Sequence, residues 1–277
     1  MNAHSPREYW SELAENFAEA DAKGLAPVLH PGAPDWFNRM IDGLQFRAIR
    51  RALALANLPP GSRVLDVGCG TGRWVRRYGE MGLRATGVDA TSGMLRLARQ
   101  RGTADPLIAG EANRLPLRAA AFDCVSDITV VQHIPAPLQL QALNEMVRVL
   151  KPGGRLILME LTRGKGTHIF PRTPQDWIQQ VVSCGAKLIG WFGQEFLLLD
   201  RLFVRVAQIV RGGNSGRAGQ DSLPESAAQR KSLVRSVYWG LRHVTAPLSA
   251  WVDPLAERIF PAQIATHGVF VFRKVPR

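Results

Sequence analysis

Apolar residues at the start of the chain recur at helical spacing. Tyr9, Trp10, Leu13 and Phe17 share one helix face, and Trp36, Phe37, Met40, Ile41 and Leu44 share another. Ser5-Pro6-Arg7-Glu8 reads as a helix start, with serine as cap, proline at the first turn and glutamate placed for a capping box. The second run extends over Asp35 to Ala56, between the break at Pro31 to Pro34 and Pro59-Pro60-Gly61. From Arg63 the period changes to short apolar runs separated by helical patterns, the mark of parallel strands joined by crossover helices. Strands are predicted at Arg63 to Val67, Arg84 to Val88, Leu107 to Ala109, Cys124 to Thr129, Arg155 to Leu161, Ala186 to Phe192 and Gly268 to Lys274. Helices are predicted at Gly72 to Met81, Ser92 to Arg101, Pro137 to Leu150 and, behind the cap Thr173-Pro174-Gln175-Asp176, to about Ser183. Lys151-Pro152-Gly153-Gly154 is expected to stop the third of these.

Between the last two strands lies an insertion of a different texture. Phe196 to Arg211 and Ser232 to Phe260 combine apolar faces with arginines, the second broken by Pro247 and Pro254. Residues 212–231 are rich in Gly, Ser, Ala and Gln and read as a mobile loop. The arginine-bearing apolar faces fit either a peripheral membrane helix or a buried helix whose arginines reach outward, and the buried arrangement is the expectation.

The run Val64-Leu65-Asp66-Val67-Gly68-Cys69-Gly70-Thr71-Gly72 carries the strongest chemical signal: a buried strand, then a glycine turn opening a helix. Glycine lets backbone N–H groups approach a ligand with no Cβ in the way. A dinucleotide fingerprint needs glycine where Arg73 stands, and no G-K-[S/T] ending makes this a phosphate loop. The run resembles motif I of the class I S-adenosylmethionine (SAM)-dependent methyltransferases. Gly87-Val88-Asp89-Ala90, Gly110-Glu111-Ala112-Asn113-Arg114-Leu115-Pro116, Phe122-Asp123-Cys124-Val125 and Val149-Leu150-Lys151-Pro152-Gly153-Gly154 follow in that family's order and spacing.

The resemblance implies an α/β, Rossmann-like, seven-stranded and mostly parallel sheet with helices on both faces. It also implies an N-terminal helical lid over 1–58, a core over 59–195, a helical insertion over 196–265 and the final strand within 266–277. SAM is the implied cofactor, with S-adenosylhomocysteine as product and no metal. Its implied contacts are Asp66, Gly68, Cys69, Gly70 and Gly72 of the glycine turn, Asp89 and Ala90 at the ribose, Glu111 and Ala112 at the adenine, and Ile128 after the fourth strand. The family more often has aspartate where Glu111 stands. His133 is the candidate general base for a hydroxyl acceptor, with a backbone-bonded structural histidine as the competing reading. Tyr9, Trp10, Trp36, Phe37 and Gln132 are candidate substrate residues, the aromatics as a lid or as plain core. Asp66 is also expected to fix the amides of the turn, and Cys69 to act as a small filler.

Absences narrow the reaction. No N/D-P-P-Y run follows the fourth strand, where Asp127-Ile128-Thr129-Val130 stands, and there is no Pro-Cys or Thr-Cys nucleophile dipeptide. The tail around Thr266-His267-Gly268 is similar to stand-alone methyltransferases of bacterial glycan and secondary-metabolite pathways. That similarity ranks a small-molecule, glycan or lipid-linked hydroxyl acceptor first. An RNA methyltransferase and a non-catalytic module that keeps the SAM fold remain as alternatives.

Charge widens the range of partners. The chain has 277 residues and a formal net charge of +12, which attracts phosphates, whether of nucleic acid, lipid headgroups or small substrates. Ordinary solubilising arginine explains the same number equally well. The three cysteines, Cys69, Cys124 and Cys184, form no C-x-x-C pair and are expected to be reduced. Neither a secretory leader nor a long uncharged apolar run is present in the sequence, so a cytoplasmic location is expected.

Overall fold

The computed structural model describes residues 6–16, 25, 29–164, 169–210 and 225–276. In chain order the elements are α1 (Pro6–Asn16), α2 (Asp35–Ala56), β1 (Arg63–Val67), α3 (Arg73–Glu80), β2 (Arg84–Asp89), α4 (Ser92–Gln100), β3 (Leu107–Ala109), β4 (Phe122–Ile128), α5 (Ala136–Val149), β5 (Leu150–Leu161), α6 (Pro174–Ser183), β6 (Ala186–Gln194), α7 (Leu198–Val210), α8 (Glu225–Ile259) and β7 (His267–Lys274). The strands form one seven-stranded sheet in the order β3-β2-β1-β4-β5-β7-β6. β7 alone runs antiparallel to its neighbours, β5 and β6. The α/β, mostly parallel architecture expected from the sequence is the one observed.

Alternation along the strands explains the two-sided core. Leu65, Leu156, Leu158, Phe270 and Phe272 face α5 and α6 in one layer, while Val64, Ile157, Met159, Val269 and Val271 face α2 and α3 in the other. A strand covered on both faces is apolar at most positions, which is why these runs look nearly continuous in the sequence. A charged clamp ties α2 to α3: Asp42 accepts from Arg77 through both nitrogens, at 2.8 and 2.6 Å, and also pairs with Arg73. Gln45 takes the remaining arm of Arg73 at 2.8 Å, so this buried guanidinium at the head of α3 is held on two sides.

Several boundaries differ from the sequence reading. Lys151-Pro152-Gly153-Gly154 does not separate helix from strand: α5 ends at Val149 and β5 starts at Leu150. The register then shifts, Leu150 facing Phe122 and Arg155 facing Cys124, so the proline and glycines sit in a bulge where no ladder donor is required. Helix α8 starts at Glu225, so residues 225–231 of the segment read as a loop are helical. Residues 211–224 lie outside the described residues, as do Ser5 and Phe17.

Nor do Pro247 and Pro254 break α8. Proline at 254 removes the donor for the Ala250 carbonyl, which instead takes a long 3.5 Å bond from Arg47 of α2. Polar anchors hold the inner face of the helix: Asp253 accepts from the N–H groups of Phe196 and Leu197 at 3.2 and 2.8 Å, and Ser249 accepts from Asp200 N–H at 2.8 Å. The buried arrangement expected of the insertion holds for one face of α8, with Ala246, Ala250 and Ala256 buried, whereas Leu241, Val244, Leu248, Trp251, Leu255 and Ile259 are exposed. Among the described residues, no helix is long and apolar enough to cross a membrane.

Candidate active site at the carboxyl edge of the sheet

The glycine turn leaves the carboxyl end of β1 and opens α3. Gly68, Gly70 and Gly72 take φ of +67°, +50° and +70°, the left-handed region that side chains disfavour. At Gly68 space is also limiting, since a Cβ there would stand 2.4 Å from a methyl of Val130. The turn is pinned by Cys69 N–H donating to the Val88 carbonyl at 2.9 Å and Gly70 N–H donating to Asp89 Oδ2 at 2.8 Å.

Asp89 ends β2 and is half-buried. Its second oxygen, Oδ1, accepts from Thr91 N–H at 2.8 Å, so each oxygen has one backbone partner and keeps acceptor capacity for another. Burial raises the Asp89 carboxyl above its ordinary value, against the opposing pull of the Thr91 and Gly70 N–H groups. That capacity on a half-buried carboxylate fits a pair of ribose hydroxyls.

Asp66 behaves differently from the expectation that it fixes the amides of the turn. It is 2% exposed, Oδ1 accepts from Ser126 Oγ at 2.9 Å, and Oδ2 has no partner among the described residues. The amide tie belongs to Asp89 instead, because Asp66, one residue before the end of β1, is bonded to Ser126 of the neighbouring β4. Burial pushes the Asp66 carboxyl up to about 7. Burial also raises the Cys69 thiol, which suits a filler: its sulfur sits where a Cβ on Gly87 would come within 2.7 Å. Ala90 is half-buried beside Asp89, and Ile128 is buried at the end of β4.

Glu111 follows β3 and is exposed, facing Arg7 of α1 at 3.7 Å, while Ala112 is half-buried against the core. Helix α1 thus reaches over this edge. Leu13 and Ala14 pack on Met94 and Leu97 of α4, Tyr9 and Trp10 border that cluster, and Trp10 meets the His133 ring edge-on with centroids 5.1 Å apart.

His133 closes a single 3-10 turn, Val131–His133, that follows the sharp bend at Thr129. Thr129 itself sits at φ +60°, a strained setting for a β-branched residue. The turn is organised by a residue that sequence reasoning did not single out. Glu160, fully buried in β5, accepts from the N–H groups of Val130, Val131 and Gln132 at 3.0, 2.8 and 3.0 Å. Asp127 of β4 is buried beside it. Burial raises both carboxyls above their ordinary values, and the charge of Asp127 adds to the rise at Glu160. The available signal was an acid inside each of two apolar strands, Phe122–Ile128 and Leu150–Leu161.

Gln132 is 4% exposed. Its Oε1 accepts from Leu161 N–H at 2.8 Å, which turns its amide nitrogen toward His133 Nε2 at 3.3 Å. Donation along that line holds the neutral imidazole with its proton on Nδ1.

Trp36 and Phe37 do not join Tyr9 and Trp10 at this edge. They pack with Trp239 and the alanine face of α8, because α2 runs under the insertion instead of over the glycine turn. Phe37 and Trp239 border a cavity of about 780 Å³ between the α2 approach, α7 and α8, also lined by Arg201, Arg205, Arg242 and Glu195. Arg242 stands 4.4 Å over the Phe37 ring and donates to Asp200 at 2.8 Å. Glu195 and Leu197, at the end of β6, adopt positive φ of +65° and +41°. His267 Nδ1 lies 3.1 Å from Glu195 Oε2, without the alignment of a hydrogen bond.

The cavity opens on the same carboxyl edge as the glycine turn. From the end of β4 to the end of β6 there are three strand steps, roughly 14 Å. The Gln132–Leu161 bond and the Leu161–His267–Gln194 register link the two places across β5 and β7.

Residues 65–158 match the methyltransferase-domain family. Malonyl-acyl-carrier-protein O-methyltransferase of Serratia marcescens is 39% identical over 117 residues, 41% of this chain and 44% of that protein. Demethylmenaquinone methyltransferase of Renibacterium salmoninarum is 39% identical over 103 residues, 37% of this chain and 43% of that one. The chain therefore matches less than half the length of these two curated relatives. Over 99% of this chain and 97% of the other, the fold is similar to the crystal structure of the (4+2)-cyclase SpnF, with a TM-score of 0.60 and 19% identity. Residues 65–158 are thus a methyltransferase domain of the class I, Rossmann-like kind, carried on the seven-stranded sheet described above.

Proposed function

We propose that the protein transfers the methyl group of SAM to a hydroxyl of an elongated, lipid-linked or similarly tailed small acceptor. Asp89 carries the reading: a half-buried carboxylate at the end of β2, tied to the glycine turn yet keeping acceptor capacity for two ribose hydroxyls. Gly68, Cys69, Gly70 and Gly72 would follow the methionine part, Asp66 lies beneath the turn, and Ala90, Glu111, Ala112 and Ile128 border the nucleoside. When bound, SAM supplies a methyl on a sulfonium, so the leaving group needs no further activation.

The protein's remaining task is alignment, and holding two reactants in attack geometry is worth up to about 7 to 11 kcal/mol. Trp10 and the Glu160-bound turn hold the His133 ring at this edge. In this reading His133 Nε2 accepts the acceptor hydroxyl's proton once the 3.3 Å contact with Gln132 yields to substrate. The distal cavity supports a tailed acceptor: roughly 14 Å separates it from the end of β4, and its wall joins Phe37, Tyr238 and Trp239 to Arg201, Arg205 and Arg242. Relatives named for malonyl-acyl carrier protein and for demethylmenaquinone support a small or carrier-linked acceptor over nucleic acid.

The test is SAM binding by calorimetry, together with transfer of labelled methyl from SAM into a bacterial lysate split into organic-soluble, polar, protein and nucleic-acid fractions. Label in the organic-soluble fraction is the expected result. Label in nucleic acid would overturn the acceptor class in favour of RNA. Absence of SAM binding would overturn methyl transfer itself, on a fold that a cyclase shares.

A further inference from the structure

Helix α8 has two apolar faces. One, formed by Ala246, Ala250 and Ala256, is buried against α2, Leu197 and Phe196. The other carries Leu241, Val244, Leu248, Trp251, Leu255 and Ile259, spaced three and four residues apart and therefore aligned along one side of the helix. These six are left 48–79% exposed by the described residues, Trp251 the most of all. The stripe spans 19 positions, about 27 Å of helix axis.

Its charge is one-sided. Among the exposed residues from 240 to 261 the only one that is Lys, Arg, Asp or Glu is Arg258. Both acids of this stretch face away: Asp253 is buried under the Phe196 and Leu197 amides, and Glu257 is paired with Arg51. Earlier in the same helix the sequence supplies Arg230, Lys231 and Arg235, and the whole chain carries +12.

We infer that this face of α8 lies in the surface of an anionic phospholipid bilayer. A soluble surface rarely leaves an apolar stripe of this length uncovered. Leucine, isoleucine and a central tryptophan, with basic residues and no exposed acid between positions 240 and 261, match the composition of a helix that lies in the headgroup region and is drawn there by anionic lipid. The charge argues against a second copy as the occupant, because two chains of +12 repel as they approach. Docked in this way, α8 brings the bilayer to the wall of the cavity between α7 and α8, where Tyr238, Trp239 and Arg242 stand. A lipid-linked acceptor then has a short path from membrane to cavity.

The experiment is flotation of the full chain with vesicles of equal parts phosphatidylcholine and phosphatidylglycerol, against vesicles of phosphatidylcholine alone. No methyl donor is present, so the outcome is independent of the methyl-transfer reading. The unsubstituted protein is expected to float with the anionic vesicles and far less with the neutral ones. Trp251→Glu is expected to lower partitioning by at least about tenfold, as loss of one large buried side chain requires. Leu248→Gln, a milder change on the same stripe, is expected to lower it in the same direction, and both variants should keep the parent's circular dichroism and Tm. Failure of the unsubstituted protein to float with anionic vesicles would overturn the inference. So would parent-like flotation of both variants, or a dimer in sedimentation that Trp251→Glu converts to monomer.

Discussion

Replacing Asp66 by asparagine tests the physics of the site most directly. The carboxyl is 2% exposed, has one hydroxyl partner at 2.9 Å, and is pushed from its ordinary 3.8 to about 7 by burial. A carboxyl whose folded pKa is raised contributes its full stability below the unfolded pKa and loses it as pH climbs through the folded value. For Asp66 that window runs from about 4 to about 7. The interval of roughly three units, at 1.36 kcal/mol each, amounts to about 4 kcal/mol. The amide of the Asp66→Asn variant does not titrate and still accepts from Ser126. The stability difference, variant minus parent, should therefore grow by about 4 kcal/mol in the variant's favour between about pH 4 and pH 8. The assay is urea unfolding of the ligand-free protein across that range, with parent and variant compared at each pH so that other titrating groups cancel. Parallel stability curves would refute the reasoning. Weaker SAM binding by the more stable variant would be the mark of a carboxylate retained for its ligand at a cost in stability.

The opposite sign is expected at Asp42, whose carboxyl is raised by burial but, on balance, lowered by its bonds with Arg77 and the charge of Arg73. Asp42→Ala should cost about 3 to 5 kcal/mol near neutral pH, since it strands the Arg73 guanidinium, and Tm by scanning calorimetry reads that loss. The parent should lose this stabilisation as pH falls through the depressed pKa, and the variant should show no such acid-side loss. Asp89→Ala should weaken SAM binding by about 1.5 to 3 kcal/mol, roughly ten- to a hundredfold, in calorimetric titration, and unchanged affinity would remove the ribose assignment. His133→Ala should lower turnover by about 10² to 10⁴ with SAM affinity nearly intact, and a fully active variant would remove the base.

Much of the fold was legible because its signals are local. Apolar runs covered on both faces, glycines at positive φ and capping residues such as Thr173 and Asp176 act within a few residues of chain, and they placed the strands and the glycine turn correctly. Even there, a bulge hid the true start of β5, because Pro152, Gly153 and Gly154 read as a terminator until β4 offers a strand for them to bulge against. The site was legible only in its residue types. That Asp89, and not Asp66, holds the turn depends on which way two neighbouring strands point their last carboxylates. That Glu160 organises the His133 turn depends on β5 lying beside β4, a pairing between residues some thirty positions apart. The aromatic residues near the start show the same limit. Helical spacing predicts that Trp10 and Trp36 each belong to an apolar face, but the packing partners, α4 for one and α8 for the other, are chosen by chain topology. The sequence by itself determined periodicity, turn chemistry and the inventory of acids and aromatics, since these follow from covalent geometry and the hydrophobic effect acting along a short stretch. Only the tertiary structure decided which apolar face of α8 finds a protein partner and which is left over, because burial is a competition among distant surfaces for one core.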